Sequence, residues 1–465
     1  MARTPRPPNT TSNNLDIPLP PKSSADLTDA DWKRVLKESK WNGNYNTFVY
    51  MNYLDVKSPD EIQYDEHEVS EAYSIVPRHC LEEFLKAEKF TVDRLAWVFE
   101  DSTYSVEWSL IEIDLNKKVN KVLNGQFYIS NGKEKYIFES KVGYHDNYFF
   151  KIISRKDSKV SGKDLLEKFL KYTEEHNFLK GKKIDPQCNF IRLDHTYTWD
   201  DIILSEKLKT EIRQNLSNLI EHRSIYRDNG LKVRRGLIFS GPPGVGKTNL
   251  VKILCATIDW TLIWISPKHL ENPRHVSGIM QLAKDLSPSV IVLEDIDLYG
   301  SSREMNGNPT VLGELMNQLD GVEGLVDIIT IATTNREEVL EKALLDRPGR
   351  FDKVVKFGLP ETEERLKMLE LFAATIGKDK SFTWKELSEK PTDGMSGAQI
   401  REVISQGVIQ AVDDGSVEKG KIVLKYKHLK AAMKAIKGKD FSRIGIQPTN
   451  SGLGSKFDLD NLDRW

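Results

Sequence analysis

The stretch Gly241-Pro242-Pro243-Gly244-Val245-Gly246-Lys247-Thr248-Asn249 decides how this chain is read. It follows Leu237-Ile238-Phe239-Ser240, a short apolar run of the kind that forms a buried parallel strand. It satisfies the pattern G-x-x-x-x-G-K-[ST], with strand before and helix after. The glycines let backbone N–H groups turn inward around phosphate oxygens. The helix that follows offers its N-terminus to the same anion. In this pattern Lys247 reaches the β- and γ-phosphates of a nucleotide, and Thr248 is a ligand for Mg²⁺.

A second apolar run, residues 290–293, lies about 45 residues on and ends in Glu294-Asp295-Ile296-Asp297. Two carboxylates at the carboxyl end of a central strand belong beside the phosphate loop of such a sheet. One is expected to hold Mg²⁺ through water, and the next to orient or deprotonate an attacking water. A third run at 328–332 completes the strand signals, and strands and helices alternate from about 190 to 360. Helical periodicity then dominates at 363–376, 384–389, 397–412 and 426–436. The expected fold is α/β: a P-loop αβα sandwich on a parallel sheet, with a helical lid and a separate α+β domain before it.

Working outward, residues 26–188 read as that α+β domain. Helical patterns fall at 31–40, 79–89 and 163–176. Strand patterns include the alternation of Val106, Trp108 and Leu110, and the aromatic-rich runs 136–138 and 148–153. Asn131-Gly132 is a hairpin turn signal. Residues 51–114 hold 16 acidic and 5 basic side chains, whereas 115–185 hold 16 basic and 9 acidic. The two halves either attract each other or present a docking surface to a charged partner. Residues 1–25 hold six of the 19 prolines and are read as a disordered tail. The polar stretch 439–465 is read as a C-terminal tail.

The remaining composition excludes several classes. The 465 residues carry 67 basic and 69 acidic side chains, a formal net charge of −2. A nucleic-acid coat or membrane-surface protein would be more lopsided. Cys80, Cys188 and Cys255 are too far apart for a metal-spaced pair or a disulfide scaffold, which points to a reducing, cytoplasmic location. No 18-residue apolar run spans a bilayer, and the first ten residues lack the apolar core of a secretory signal. H-E-x-x-H does not occur, so zinc-protease chemistry is not expected.

From about 199 to 436 the chain resembles the ATPase module of the AAA family, in its classical clade. Thr198-Trp199-Asp200-Asp201-Ile202 is similar to the segment whose backbone contacts adenine. Ile331-Ala332-Thr333-Thr334-Asn335 is similar to the strand ending in the sensor-1 asparagine, which implies that Asn335 orients the lytic water. Leu344-Leu345-Asp346-Arg347-Pro348-Gly349-Arg350-Phe351-Asp352 is similar to the second region of homology. The resemblance implies that Arg347 and Arg350 reach the nucleotide of a neighbouring subunit, so that hydrolysis requires a ring, in the usual case of six subunits. Ser396-Gly397-Ala398 resembles the sensor-2 corner of the lid, residues 361–438, packed on a large subdomain, 189–360. ATP and Mg²⁺ are the implied cofactors. Phosphoryl transfer fits this assignment, because positive charge must gather on the γ-phosphate as its charge redistributes.

The sequence departs from the family pattern twice. The acidic pair is Glu294-Asp295 where the family has Asp-Glu, so Glu294 takes the metal position and Asp295 the base position. A similar order occurs in the mitochondrial ATPase that assembles respiratory complex III, a group that hydrolyses ATP. From Glu271 to Pro288 there are only 18 residues, fewer than the resemblance implies, and Glu271–Ser277 has no aromatic pore residue. His269, His275, Tyr299 and the 301–308 loop are the alternative pore candidates. The leading expectation is an ATP-driven remodeller or translocator of a protein partner chosen by the N-terminal domain. A slow ATP-dependent switch or scaffold is the second, and a nucleic-acid remodeller acting through residues 115–185 the third.

Overall fold

The computed structural model describes residues 44–99, 102–132, 134–143, 147–192, 197–231, 233–270, 272–298, 311–321, 327–336, 351–418 and 420–437. The chain divides into two compact units, at residues 1–178 and 179–465.

In the first unit, helix α1 (Tyr45–Leu54) begins at Asn44, whose side chain accepts from the Asn46 N–H at 2.8 Å. Strand β1 (Ile62–Ser70) and helix α2 (Ile75–Ala87) follow. Strands β2 (Thr91–Phe99), β3 (Ser102–Tyr104), β4 (Glu107–Asp114), β5 (Lys117–Ser130), β6 (Lys135–Val142) and β7 (Asn147–Arg155) come next, then helix α3 (Gly162–Glu175). The sheet runs β1-β7-β6-β5-β2-β3, with β4 paired to β5 and every ladder antiparallel. The Asn131-Gly132 turn joins β5 to β6, with Gly132 at φ +91°.

Alternation along the strands assigns side chains to two faces. Tyr136, Phe138, Phe150 and Ile152 pack with Leu81 and Phe84 of α2 and Phe169 of α3. Ile137 and Ile153 point the other way, into a cluster with Phe48, Val49 and Leu54 of α1. Both faces are covered, so β6 is buried almost without interruption. One polar knot lies inside. Gln126 donates to Tyr50 Oη at 2.8 Å and to Glu139 Oε2 at 2.6 Å, and accepts from Tyr128 Oη at 3.0 Å.

The second unit begins with β8 (Lys183–Ile184), which pairs in parallel with β10 (Thr261–Ile265). Residues 179–188 therefore pack with the ATPase-like region, ahead of the boundary expected near 188. Helices α4 (Glu206–Asn215), α5 (Ser217–Glu221) and α6 (Arg223–Asp228) precede β9 (Arg234–Ser240) and α7 (Lys247–Thr257). Helix α8 (Pro273–Asp285), β11 (Ser289–Leu293), α9 (Val311–Gly321), β12 (Ile328–Thr334) and β13 (Lys353–Lys356) follow. The six strands order as β13-β9-β12-β11-β10-β8, all parallel. Leu237, Phe239, Val290, Val292, Ile329 and Ile331 pack with Leu250, Val251 and Leu254 of α7.

The C-terminal segment holds helices α10 (Thr362–Phe372), α11 (Trp384–Ser388), α12 (Gly397–Asp413) and α13 (Tyr426–Lys437) around its own core. It also contains a small sheet missed by the helical reading. Strands β14 (Gly377–Lys378), β15 (Val417–Glu418) and β16 (Lys421–Leu424) are too short for periodicity to reveal them. The buried Arg365 ties this segment together by donating to the carbonyls of Pro360, Ser388 and Glu389. The expected helix at 31–40, both tails, Tyr299 and the 301–308 loop lie outside the described residues.

The Gln126 knot yields a stability test. Gln126→Leu leaves three buried polar groups short of a partner, and each such orphan costs roughly 1–3 kcal/mol. We expect the urea midpoint of the N-terminal unit's unfolding to fall clearly, whereas a midpoint unchanged from wild type would mean that the knot contributes nothing.

Candidate functional site

The site forms where β9, β11 and β12 end. Parallel pairing sets Ser240 opposite Thr334, and Leu293 opposite Ala332. The residues that follow these strands, Gly241, Glu294 and Asn335, therefore emerge side by side at one edge of the sheet. That edge is where open α/β sheets bind ligands.

The loop between β9 and α7 depends on glycine at particular points. Gly244 and Gly246 hold φ +79° and +100°, a region costly for residues with a Cβ. A Cβ on Gly241 would lie 2.2 Å from the Phe357 carbonyl oxygen. The loop also touches the C-terminal segment, where Ala398 N donates to Gly244 O at 3.1 Å.

Lys247, only 6% exposed, turns its ammonium back along the loop. It donates to Gly241 O at 2.7 Å, Pro242 O at 2.9 Å and Asn335 Oδ1 at 2.9 Å. Burial pulls its pKa down to about 8, against the opposing pull of Asp295 and Asp297. The other end of the Asn335 amide donates to Asp295 Oδ1 at 3.1 Å. Asn335 thus bridges the lysine and a carboxylate. Asp295 leaves the strand with φ +48°, and its N–H donates to Thr333 Oγ1 at 3.0 Å. Burial first, then the charges of Glu294 and Asp297, push its pKa up. Asp297 accepts from Thr334 Oγ1 at 2.8 Å and from the Asn335 N–H at 3.3 Å, fixing the strand end that carries Asn335.

Glu294 faces a different set. Its Oε1 accepts from Thr248 Oγ1 at 3.2 Å, and its Oε2 from Trp264 Nε1 at 3.2 Å. A hydroxyl and a carboxylate oxygen in contact are hard oxygen donors, the kind that Mg²⁺ takes while keeping several waters. The residues present therefore fit that ion.

A cavity of about 810 Å³ opens beside the loop. Asp201, Ile202, Pro243, Gly244, Val245, Gly246, Lys247, Thr248, Asn249, Asp295, Asn335, Gly397 and Ala398 all line it. Gly241 and Pro242 act from behind, through their carbonyls. Arg347 and Arg350 lie outside the described residues. The sequence reading missed the far wall, where Met368, Phe372 and Ile376 meet Arg401, Glu402 and Val408. Arg401 sits over the Phe372 ring at 4.9 Å. All but Ile376, which lies just past α10, are helix residues of α10 and α12, and they read as ordinary core or solvated positions.

The pore candidates resolve differently. The stretch expected as a pore loop is helical from Pro273, because proline at a first helical position presets φ and needs no N–H partner. His269 closes a short turn by accepting from the Ser266 N–H at 3.1 Å, and burial lowers its pKa. His275 is exposed on α8.

A phosphate loop that meets a carboxylate pair and an asparagine at one end of a parallel sheet defines the nucleotide-binding class of P-loop sites. Residues 237–359 match the model of the ATPase family associated with various cellular activities (AAA), so this part of the chain is an AAA domain. The chain is 31% identical over 254 residues to the 26S proteasome regulatory subunit 8 homolog B of Arabidopsis thaliana, covering 50% of this chain and 59% of that one. It is 28% identical over 333 residues to the probable 26S proteasome regulatory subunit 6B of Caenorhabditis elegans, covering 68% and 78%. It is 31% identical over 227 residues to the proteasome-activating nucleotidase of Methanopyrus kandleri, covering 46% and 52%. The chain thus spans about three fifths of the length of the Arabidopsis relative.

The loop geometry predicts a graded defect. Gly244→Ala puts a Cβ 2.6 Å from Ala398 Cβ at φ +79°. The left-handed conformation alone costs roughly 1–2 kcal/mol, so nucleotide affinity is expected to drop about tenfold in a fluorescent-ATP titration. Wild-type affinity would show that the loop relaxes without cost.

Proposed function

We propose that this protein hydrolyses ATP with Mg²⁺ as a ring-forming cytoplasmic assembly, and uses the cycle to remodel or translocate a protein partner selected by its N-terminal unit, which ends at residue 178. The observation that carries the reading is the Lys247–Asn335–Asp295 chain of hydrogen bonds at the end of the phosphate loop. It joins the cation for the γ-phosphate, the water-orienting amide and the base in one unit. The relatives' names point to proteasome-associated ATPases, which supports a protein as the material worked upon.

In this reading the triphosphate lies along residues 241–249, and Lys247 leaves the loop carbonyls for the β- and γ-phosphate oxygens. The base of the nucleotide lies against Asp201, Ile202, Gly397 and Ala398, under the C-terminal segment. Thr248 and Glu294 hold Mg²⁺, which neutralises developing phosphate charge when bound. Asp295 accepts the proton of the attacking water. Its raised pKa makes it a better proton acceptor than an ordinary aspartate. Asn335 holds that carboxylate and, with it, the water. Arg347 and Arg350 of a neighbouring subunit complete the positive charge around the transferring phosphoryl group, so a lone subunit is incomplete.

A slow switch that assembles or gates another complex is the second reading, and the short segment before α8, without an aromatic grip, favours it. Turnover on the order of one per second or more suits a motor, and far slower turnover suits a switch.

Three substitutions test the proposal. Lys247→Ala is expected to abolish ATP binding. Arg350→Ala is expected to preserve binding and lower hydrolysis by about 10³-fold or more, the range for arginines supplied in trans. Normal hydrolysis by Arg350→Ala would remove the case for a shared site. Asp295→Asn is expected to bind ATP without turnover, and this trapped form can be used to isolate partners. A single protein in fixed ratio supports a dedicated remodeller, whereas recovery of nucleic acid alone contradicts the protein-directed reading.

A further inference from the structure

We infer that Trp264 is a positioning residue for the magnesium-side carboxylate. Its indole N–H holds Glu294 so that the opposite carboxylate oxygen faces Thr248. The inference rests on the reading of Thr248 and Glu294 as the metal side of the site, and adds a residue that the phosphate-loop and acidic motifs do not contain.

The geometry follows from the sheet. β10 pairs in parallel with β11, with Trp264 opposite Val292. Side chains alternate along a strand, so Trp264, Val292 and Glu294 leave the sheet on the same face. This is the face packed by α7, as the cluster of Leu262, Val292, Leu250 and Leu254 shows, and Trp264 is half-buried against that cluster. The Glu294 N–H donates to Ile265 O at 2.9 Å, which anchors the backbone beside β10. From there the carboxylate forks, with Oε2 to Trp264 Nε1 and Oε1 to Thr248 Oγ1, both at 3.2 Å.

Chemistry gives the fork its meaning. An indole N–H only donates, and an ionised carboxylate only accepts. The pair therefore has one sense, and it leaves Oε1 as the oxygen directed to the hydroxyl. Glutamate also carries one more rotatable bond than aspartate, so a glutamate here has more freedom to lose when it serves a metal. A fixed donor on the neighbouring strand removes that freedom in advance. Hydrogen-bond partners behind a metal-binding group commonly contribute 10–100-fold in metal affinity.

The test compares affinity for Mg²⁺·AMP-PNP with affinity for AMP-PNP in EDTA, by calorimetry on the full chain. Their ratio isolates the protein's hold on the metal. Trp264→Phe keeps a large aromatic ring and removes the N–H. It is expected to shrink the ratio about tenfold while leaving metal-free AMP-PNP affinity at the wild-type value. In a Glu294→Gln background the same substitution is expected to add little, because the charged acceptor is gone. A ratio unchanged in Trp264→Phe would overturn the inference. So would an equal loss of metal-free binding, which would make Trp264 a packing residue of the sheet. If Glu294→Gln itself leaves the ratio unchanged, the metal-side reading fails. If Glu294→Gln shrinks the ratio and Trp264→Phe does not, the inference about Trp264 fails alone.

Discussion

The parallel register of β9, β11 and β12 is the constraint on which the site depends. Pairing Ser240 with Thr334 and Leu293 with Ala332 brings three distant segments to one level. A slip of one residue in either ladder would send Glu294 or Asn335 to the opposite face of the sheet. The close-packed apolar side chains on both faces make such a slip expensive, since each would enter a space shaped for another, and misfits of this kind cost roughly 1–3 kcal/mol. Core packing and site geometry are therefore one problem in this fold. The residues that hold the sheet in register are also those that aim its polar ends.

At those ends, opposite charges are gathered before any ligand arrives. Lys247 is buried among carbonyl oxygens, and Asp295 is half-buried near two other carboxylates. Burial disfavours the charged form of each, which is why the lysine's pKa falls and the aspartate's rises. Asn335 stands between them and offers its oxygen to the cation and its N–H to the anion. An amide suits this place because it satisfies both neighbours at once without adding charge. A carboxylate here would repel Asp295, and a lysine would repel Lys247.

Much of this was legible in the sequence, for a physical reason. The phosphate loop must place glycine where a Cβ would collide or φ is positive, and these demands fix residue identities at fixed spacing. Strands buried on both faces read as continuous apolar runs, so 237–240, 290–293 and 328–332 lie within β9, β11 and β12. What was not legible depends on contacts between distant segments. Strands β14 to β16 are two to four residues long and carry no periodic signal. Pairing of β8 with β10 joins residues nearly 80 positions apart. Trp264 reads as one more apolar residue of a buried strand, and only the sheet register shows that its N–H meets a carboxylate. Residues 271–277 fall where the resemblance implies a pore loop, yet Pro273 opens a helix within them.

The exchanged order of the acidic pair takes on a structural sense when both residues are considered together. Exchanging Asp-Glu for Glu-Asp lengthens the first side chain by one methylene and shortens the second by one. The longer Glu294 spans two partners, Thr248 and Trp264, on the α7 side of the sheet. The shorter Asp295 has less reach, and the backbone supplies part of the direction instead. Its φ of +48° turns the carboxylate off the strand line, a conformation that aspartate tolerates better than most residues. Thr333 anchors the turned N–H, and Asn335 meets the carboxylate from the neighbouring strand. Each change of side-chain length is thus matched by a neighbour on an adjacent strand: an indole donor for the longer acid, a hydroxyl and an amide for the shorter one. The unit that the proposed reaction would use is accordingly wider than the acidic pair. It includes the donors on β10 and β12 that make the exchanged order workable, and substituting the pair alone back to Asp-Glu would leave those donors aimed at the wrong lengths.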